Sequence, residues 1–185
     1  MRLQHKIEID LLDVFKTGNF DCVKIGKTKE WILNNFPAPD DYEAGNSFDL
    51  AGFWRYGNIE FYFDEDRLSQ ISTNYIDTLD GGEGLHIKKW IFAEPEKLTL
   101  QYVLQHLIKE RIGFQVRYKI GTYLCHTTIG LLDAGVDLIF QPIEEEVEDV
   151  EKWYTVDQKL IDPNNHMLMR VEIVDQTRMI AFYQY

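Results

Sequence analysis

Six acids fall within eight residues at 144–151, in the order Glu-Glu-Glu-Val-Glu-Asp-Val-Glu, and Lys152, Trp153 and Tyr154 follow directly. Carboxylates packed at that density stay solvated, so the run reads either as an inert linker or helix face, or as a docking surface. In the second case the acids attract a basic partner at long range, and the neighbouring aromatics become buried anchors on contact. Glu144, Glu145, Glu146, Glu148, Asp149, Trp153 and Tyr154 are therefore the candidate partner-binding residues. A second acidic candidate is the group Asp40, Asp41, Glu43 and Asp49, ahead of Trp54.

Other residue types offer chemistry with less support from their spacing. Cys125 and His126 are adjacent, but neighbouring strand residues point to opposite faces, so a thiol nucleophile and its base would not meet. His5, His86, His106, His126 and His166 lack the His-x-x-x-His or Cys-x-x-Cys spacing that assembles a metal site locally. Asp77, Asp80 and Glu83 surround Gly81 and Gly82 without the twelve-residue calcium-loop pattern. The same glycines, with Gly84, would cradle a phosphate only between a strand and a helix with a Lys-Ser or Lys-Thr behind them, and Lys88 and Lys89 are followed by Trp90. The expectation is no metal and no cofactor. A small hydrolase or transferase working through paired carboxylates or a histidine is the alternative function, and a structural homo-oligomer subunit a third.

Composition bounds these readings. Of 185 residues, 45% are hydrophobic and 14% aromatic, too many for intrinsic disorder and enough for a real core. The net charge of −12 opposes the phosphate backbone and argues against general nucleic-acid binding. The N-terminal residues, MRLQHKIEID, lack the apolar centre of a signal peptide, and charges or glycines interrupt every apolar stretch. Two cysteines, Cys22 and Cys125, fit reduced thiols. A cytoplasmic protein with no membrane span is expected.

The elements that must position any site follow from periodicity. Ile7, Leu11, Leu12 and Phe15 lie on one helical face, predicting a first helix over 7–15. Thr28 and Thr99 are natural N-caps for helices carrying Trp31 and Ile32, and Val103, Leu104, Leu107 and Ile108, with Gly113 stopping the latter. Strands are predicted at 53–56, 59–63, 68–76, 114–118, 122–130 and 136–140, and a C-terminal β-hairpin from 167–173 and Ile180 with Phe182. The sum is an α+β fold in a single compact domain, 1–185. It is built from two helix-then-antiparallel-sheet modules, 1–93 and 94–185, which suggest a degenerate duplication. Thr28 and Thr99 are 71 positions apart, Gly57 and Gly135 are 78 apart.

Residues 23–42, VKIGKTKEWILNNFPAPDDY, combine an apolar pair, Gly26, Thr28, a short helix and then Pro39 with Asp40. Together with Trp54, Arg55, Tyr56, Gly57 and the strand to Phe63, they resemble the small unit of the SmpA/OmlA assembly lipoproteins and the beta-lactamase-inhibitor protein, over about residues 10–76. That resemblance implies an α+β unit. The acidic, helix-first organisation with a Trp-x-Tyr-Gly strand is also similar to bacterial immunity proteins of toxin systems. The expected function is thus a non-catalytic protein-binding protein, of immunity type, covering a basic partner such as a cognate toxin with an acidic surface.

Overall fold

The computed structural model of the chain describes residues 6–43, 51–120, 125–142 and 166–175. Strand β1 (Ile7–Asp10) runs straight into α1 (Leu11–Thr17), and α2 (Lys29–Asn35) precedes the strands β2 (Asp41–Tyr42), β3 (Phe53–Tyr56), β4 (Ile59–Asp64) and β5 (Arg67–Thr73). The order then recurs: β6 (Leu85–Lys88), 3-10 turns at Trp90–Ala93 and Pro95–Lys97, α3 (Leu100–Lys109), and β7 (Gln115–Ile120), β8 (Cys125–Leu131), β9 (Val136–Pro142) and β10 (His166–Val174). Each group of four strands pairs antiparallel with its neighbours in sequence. The two groups join through β5 and β10, giving one sheet in the order β2-β3-β4-β5-β10-β9-β8-β7. β1 and β6 pair parallel in a separate two-stranded sheet. The fold class is α+β, with three helices and a large antiparallel sheet among the described residues.

The two halves correspond in detail. Thr28 caps α2 by accepting from Trp31 N at 3.1 Å, and Thr99 caps α3 by accepting from Tyr102 N at 3.2 Å. The residue before each cap takes a hydrogen bond from the last strand of its own half: Leu68 N donates to Lys27 O at 2.8 Å, and Leu168 N to Leu98 O at 3.0 Å. The spacing between equivalent residues is 71 at Thr28 and Thr99, 78 at Gly57 and Gly135, and 100 at Leu68 and Leu168. The last jump has a definite place. In the first half a tight turn joins β4 to β5, with Asp64 opposite Arg67; in the second half residues 143–165 join β9 to β10, whose ends meet at His166 and Pro142.

Alternation decides which side of the sheet is buried. Tyr42, Trp54, Phe61, Ile71, Ile173, Val136 and Leu131 are successive register partners across seven strands. All but Tyr42 are buried in one core, which they share with Val14 and Phe15 of α1, Ile32 of α2, Ile91 and Phe92 of the first 3-10 turn, and Val103 and Leu107 of α3. Phe36 packs on Tyr56 and Phe61 with ring centroids at 5.4 and 6.2 Å, and Phe20 on Phe61 at 5.5 Å, tying the helical layer to this side. Each buried large apolar side chain of this row contributes roughly 1.5–3 kcal/mol to holding the helical layer on the sheet.

Three expectations differ from what is observed. The predicted helix over 7–15 begins only at Leu11, because Ile7 and Ile9 alternate and pair with Leu85 and Ile87, while Asp10 accepts from Leu12 N at 3.0 Å and starts the helix there. Strand β6 and the 3-10 turn after it were not anticipated, since neither carries a long period. At the end of α3 the left-handed residue is Arg111, at φ 58°, rather than Gly113. Of the predicted terminal hairpin, β10 is described, and over Val171–Ile173 it is paired on both edges, by β5 and by β9. Ile180 and Phe182 lie outside the described residues.

Candidate functional site

The opposite face of the sheet carries charged and polar side chains. Asp41, Arg55, Glu60, Ser72, Glu172, Asp137, Gly130 and Gln115 are successive register partners and cross all eight strands in one row. This row alternates with the apolar one, so the same strands that bury Trp54 and Phe61 present Arg55 and Glu60 on the other side. The flanking positions on this face are Phe53, Tyr62, Gln70 and Val174 on one side, and Thr128, Ile139 and Arg170 on the other.

The charges on this face are fixed by one another. Arg55 donates through Nε and Nη2 to Glu60 Oε1, at 3.0 and 2.8 Å, and its guanidinium stands over the Phe53 ring at 5.1 Å. Tyr62 donates to Glu60 Oε2 at 2.5 Å and packs against Phe53 with centroids at 5.7 Å. Arg170 donates through Nε to Asn74 Oδ1 at 2.5 Å and through Nη1 to Glu172 Oε1 at 3.1 Å. The carboxylates are the sunken partners: Glu60 and Glu172 are 15% and 17% exposed, Arg55 and Arg170 38% and 44%. Burial first, and the Glu60 carboxylate second, push the Tyr62 phenol up to about 12. The hydrogen bond to Glu60 raises Arg55 above its already high value. Tyr75, half-exposed, adds a further ring close enough to act on the Arg55 charge.

The two acidic sequence candidates fare differently. Glu144, Glu145, Glu146, Glu148, Asp149, Trp153 and Tyr154 lie outside the described residues, in the connection between Pro142 and His166. The group before Trp54 is largely engaged. Asp40 Oδ2 accepts from Gly57 N at 2.6 Å and Asp40 Oδ1 from Glu83 N at 3.1 Å, Glu43 Oε2 accepts from Gly52 N at 2.8 Å, and Asp41 Oδ1 accepts from Tyr42 N. Asp49 lies outside the described residues. The Gly81–Gly84 stretch leads into a strand, β6, and Asp40 takes one backbone donor of its turn, Glu83 N. A Cβ at Gly82 would stand 1.7 Å from Asp40 Oδ2, so the glycine is required by that close approach.

The remaining candidates stay apart. Cys125 and His126 are consecutive on β8, opposite Ile120 and Lys119, and His166 starts β10. His106 lies on α3, its Nδ1 at 2.9 Å from the Tyr102 carbonyl and its ring 4.2 Å from that of Tyr102. Among the described residues no group of three or more His, Cys, Asp or Glu side chains could hold a metal. An open groove of about 470 Å³ runs along Ile25, Gly26, Asp64, Glu65 and Arg67, and a smaller one of about 180 Å³ lies by Lys16, Glu110 and Asp133; neither takes in Glu60 or Glu172. No helix among the described residues is long and apolar enough to cross a membrane.

Sequence reasoning missed the open face, although part of its signal was present. Glu60 and Tyr62 fall in the strand predicted at 59–63, and Arg55 in the aromatic strand predicted at 53–56. What no local pattern carries is that Glu172 stands beside Ser72, because that pairing joins strands 100 positions apart. No protein-family model, no curated protein and no solved structure matches this chain.

Proposed function

We propose that this chain is a non-catalytic protein-binding protein whose open sheet face is the docking surface. The carrying observation is that two adjacent register rows of the same strands have opposite character, one buried under the helices and one bearing Arg55, Glu60, Glu172 and Asp137 with Phe53 and Tyr62 beside them. Eight strands at about 4.8 Å spacing and about 3.3 Å per residue give a face on the order of 700 Å². That is comparable with the roughly 800 Å² per partner of a standard protein interface. Aromatic rings and arginines are also the side chains enriched at interface centres.

The finer reading is a cytoplasmic immunity-type protein that blocks a basic toxin. The net charge of −12 would steer such a partner, and the connection at 143–165 contributes eight acids against two lysines to it. An acid–base enzyme built on Glu60 and Glu172 has less support, because Arg55, Tyr62 and Arg170 hold those carboxylates as fixed acceptors.

Co-expression with the product of the neighbouring gene tests the reading, scored by growth rescue and by co-purification. Rescue is expected from the wild-type chain and its loss from Gln70→Trp, which puts a bulky ring on the open face. Absence of both rescue and co-purification would refute it, and full rescue by Gln70→Trp would remove the sheet face as the surface.

A further inference from the structure

We propose that Arg55 and Arg170 act as a pair of guanidinium grips for the carboxylates of an acidic segment on the docking partner, with Tyr62 as the floor between them. The proposal rests on the docking reading above and assigns the partner chemistry of that surface.

The overall charge points the other way, which is why the local geometry is informative. A chain of net charge −12 attracts cations at a distance, and Asp41 and Asp137 lie at the two sides of this row; between them, however, Glu60 and Glu172 are sunken and the arginines that hold them stand further out. A partner segment laid over Glu60, Tyr62 and Glu172 therefore meets guanidinium groups before the carboxylates that hold them. Long-range attraction and short-range recognition are separate functions of charge, and they need not have the same sign.

Both arginines are held in place before any partner arrives. Arg55 is fixed by two hydrogen bonds to one oxygen of Glu60 and by the Phe53 ring, and Arg170 by Asn74 and Glu172. Nη1 of Arg55 and Nη2 of Arg170 are the terminal nitrogens that make no hydrogen bond among the described residues. A guanidinium so fixed loses little further side-chain freedom when it accepts a carboxylate, and its planar donor fork suits that group.

The spacing suits an extended segment. Arg55 on β3 and Arg170 on β10 are three strand intervals apart, about 14 Å between backbones. Both side chains lean inwards, Arg55 onto Glu60 of β4 and Arg170 onto Asn74 just past β5, and both charges act on the Tyr62 hydroxyl. An extended chain advances about 6.6 Å for every two residues, so acids two to four positions apart could engage the two grips together.

The test uses the full chain and an acetylated tetraglutamate peptide as probe, followed by NMR of the arginine Nε–H groups. Saturable shifts of Arg55 and Arg170 are expected, with tetraglutamine and tetralysine peptides leaving them unmoved. Arg55→Gln with Arg170→Gln should weaken the tetraglutamate peptide at least tenfold, and Lys109→Gln, on α3, should not. Because loss of Arg55 also removes a partner of Glu60, and loss of Arg170 one of Glu172, Arg170→Lys is the second variant: it keeps the charge beside Glu172 but not the planar fork, and is expected to weaken binding at least threefold. Unmoved arginine signals, or equal weakening by Lys109→Gln, would overturn the proposal. With the co-purified partner the two readings separate: loss of binding in Gln70→Trp but not in the arginine variants would leave the docking face standing and remove the grips. Loss in neither would remove both.

Discussion

Thr28 and Thr99 hold equivalent places in the two halves of the molecule. Each caps a helix through its hydroxyl, and each forms an isolated bridge with the start of a central strand, Thr28 with Arg67 on β5 and Thr99 with Met167 on β10. The caps therefore register their helices against the two strands that join the meanders. Removing either hydroxyl leaves one helix N–H without its acceptor, a loss of about 1 kcal/mol. Thr28→Ala and Thr99→Ala should each lower unfolding stability by that amount in urea titrations. As they share no partner, the double variant should lose the sum within about 0.5 kcal/mol. A markedly larger loss would mean that the halves communicate through these caps.

Asp40 links two turns that carry opposite ends of the first half. Its carboxylate holds Gly57 N in the β3–β4 turn and Glu83 N ahead of β6. Asp40→Ala should cost about 0.5–1.5 kcal/mol for each of the two hydrogen bonds, which are exposed and so re-solvated when lost. Two glycines then separate close approach from backbone strain. Gly26 and Gly82 are both left-handed, at φ 88° and 68°, but a Cβ on Gly26 meets nothing within 4 Å while one on Gly82 collides with Asp40. Gly26→Ala should cost the left-handed penalty of about 1–2 kcal/mol. Gly82→Ala should cost measurably more, and equal losses in chemical denaturation would show that Asp40 moves away at no cost.

Arg111 ends α3 in the left-handed region at φ 58°, a conformation that suits glycine. Its side chain is exposed, so little packing offsets the strain. Arg111→Gly should raise stability by about 0.5–1 kcal/mol, the left-handed relief less the greater freedom glycine has in the unfolded chain. A destabilised variant in the same measurement would assign the Arg111 side chain a structural contact that outweighs the strain.

Much of this architecture was legible from short-range signals. Thr28 and Thr99 cap the helices the sequence predicts, and the strands predicted at 53–56 and 59–63 are β3 and β4. The segment 7–15 misled because Ile7, Leu11 and Phe15 satisfy a helical period, while the competing signal, parallel pairing of Ile7 and Ile9 with Leu85 and Ile87, comes from 78 positions away. The site was hidden for the same reason. The run 144–151 lies outside the described residues, and Arg55, Glu60, Arg170 and Glu172 become one surface only when β5 meets β10. Periodicity shows which way a side chain points, but non-local pairing decides beside what it stands.

Tyr62 gives this surface a pH signature. Its phenol, at about 12, lies above the ordinary 10.0 because burial disfavours the phenolate and the Glu60 carboxylate accepts a hydrogen bond from the neutral phenol. The folded state thus holds this proton more tightly than the unfolded state does. The associated stability is complete below about pH 10 and is lost as pH rises through about 12. Of the ten tyrosines, Tyr62 should be among the last to appear in a phenolate absorbance titration of the folded protein, and Tyr62→Phe should remove its late component while that of Tyr56, which burial pushes up further, persists. Glu60→Gln removes the charge while leaving an acceptor oxygen, so it should move the late component toward lower pH without abolishing it, because burial is the larger cause. If Glu60→Gln instead returned Tyr62 to an ordinary tyrosine titration, the carboxylate would be the dominant cause, and the phenol would lie more open to water on the sheet face than its packing against Phe53 implies.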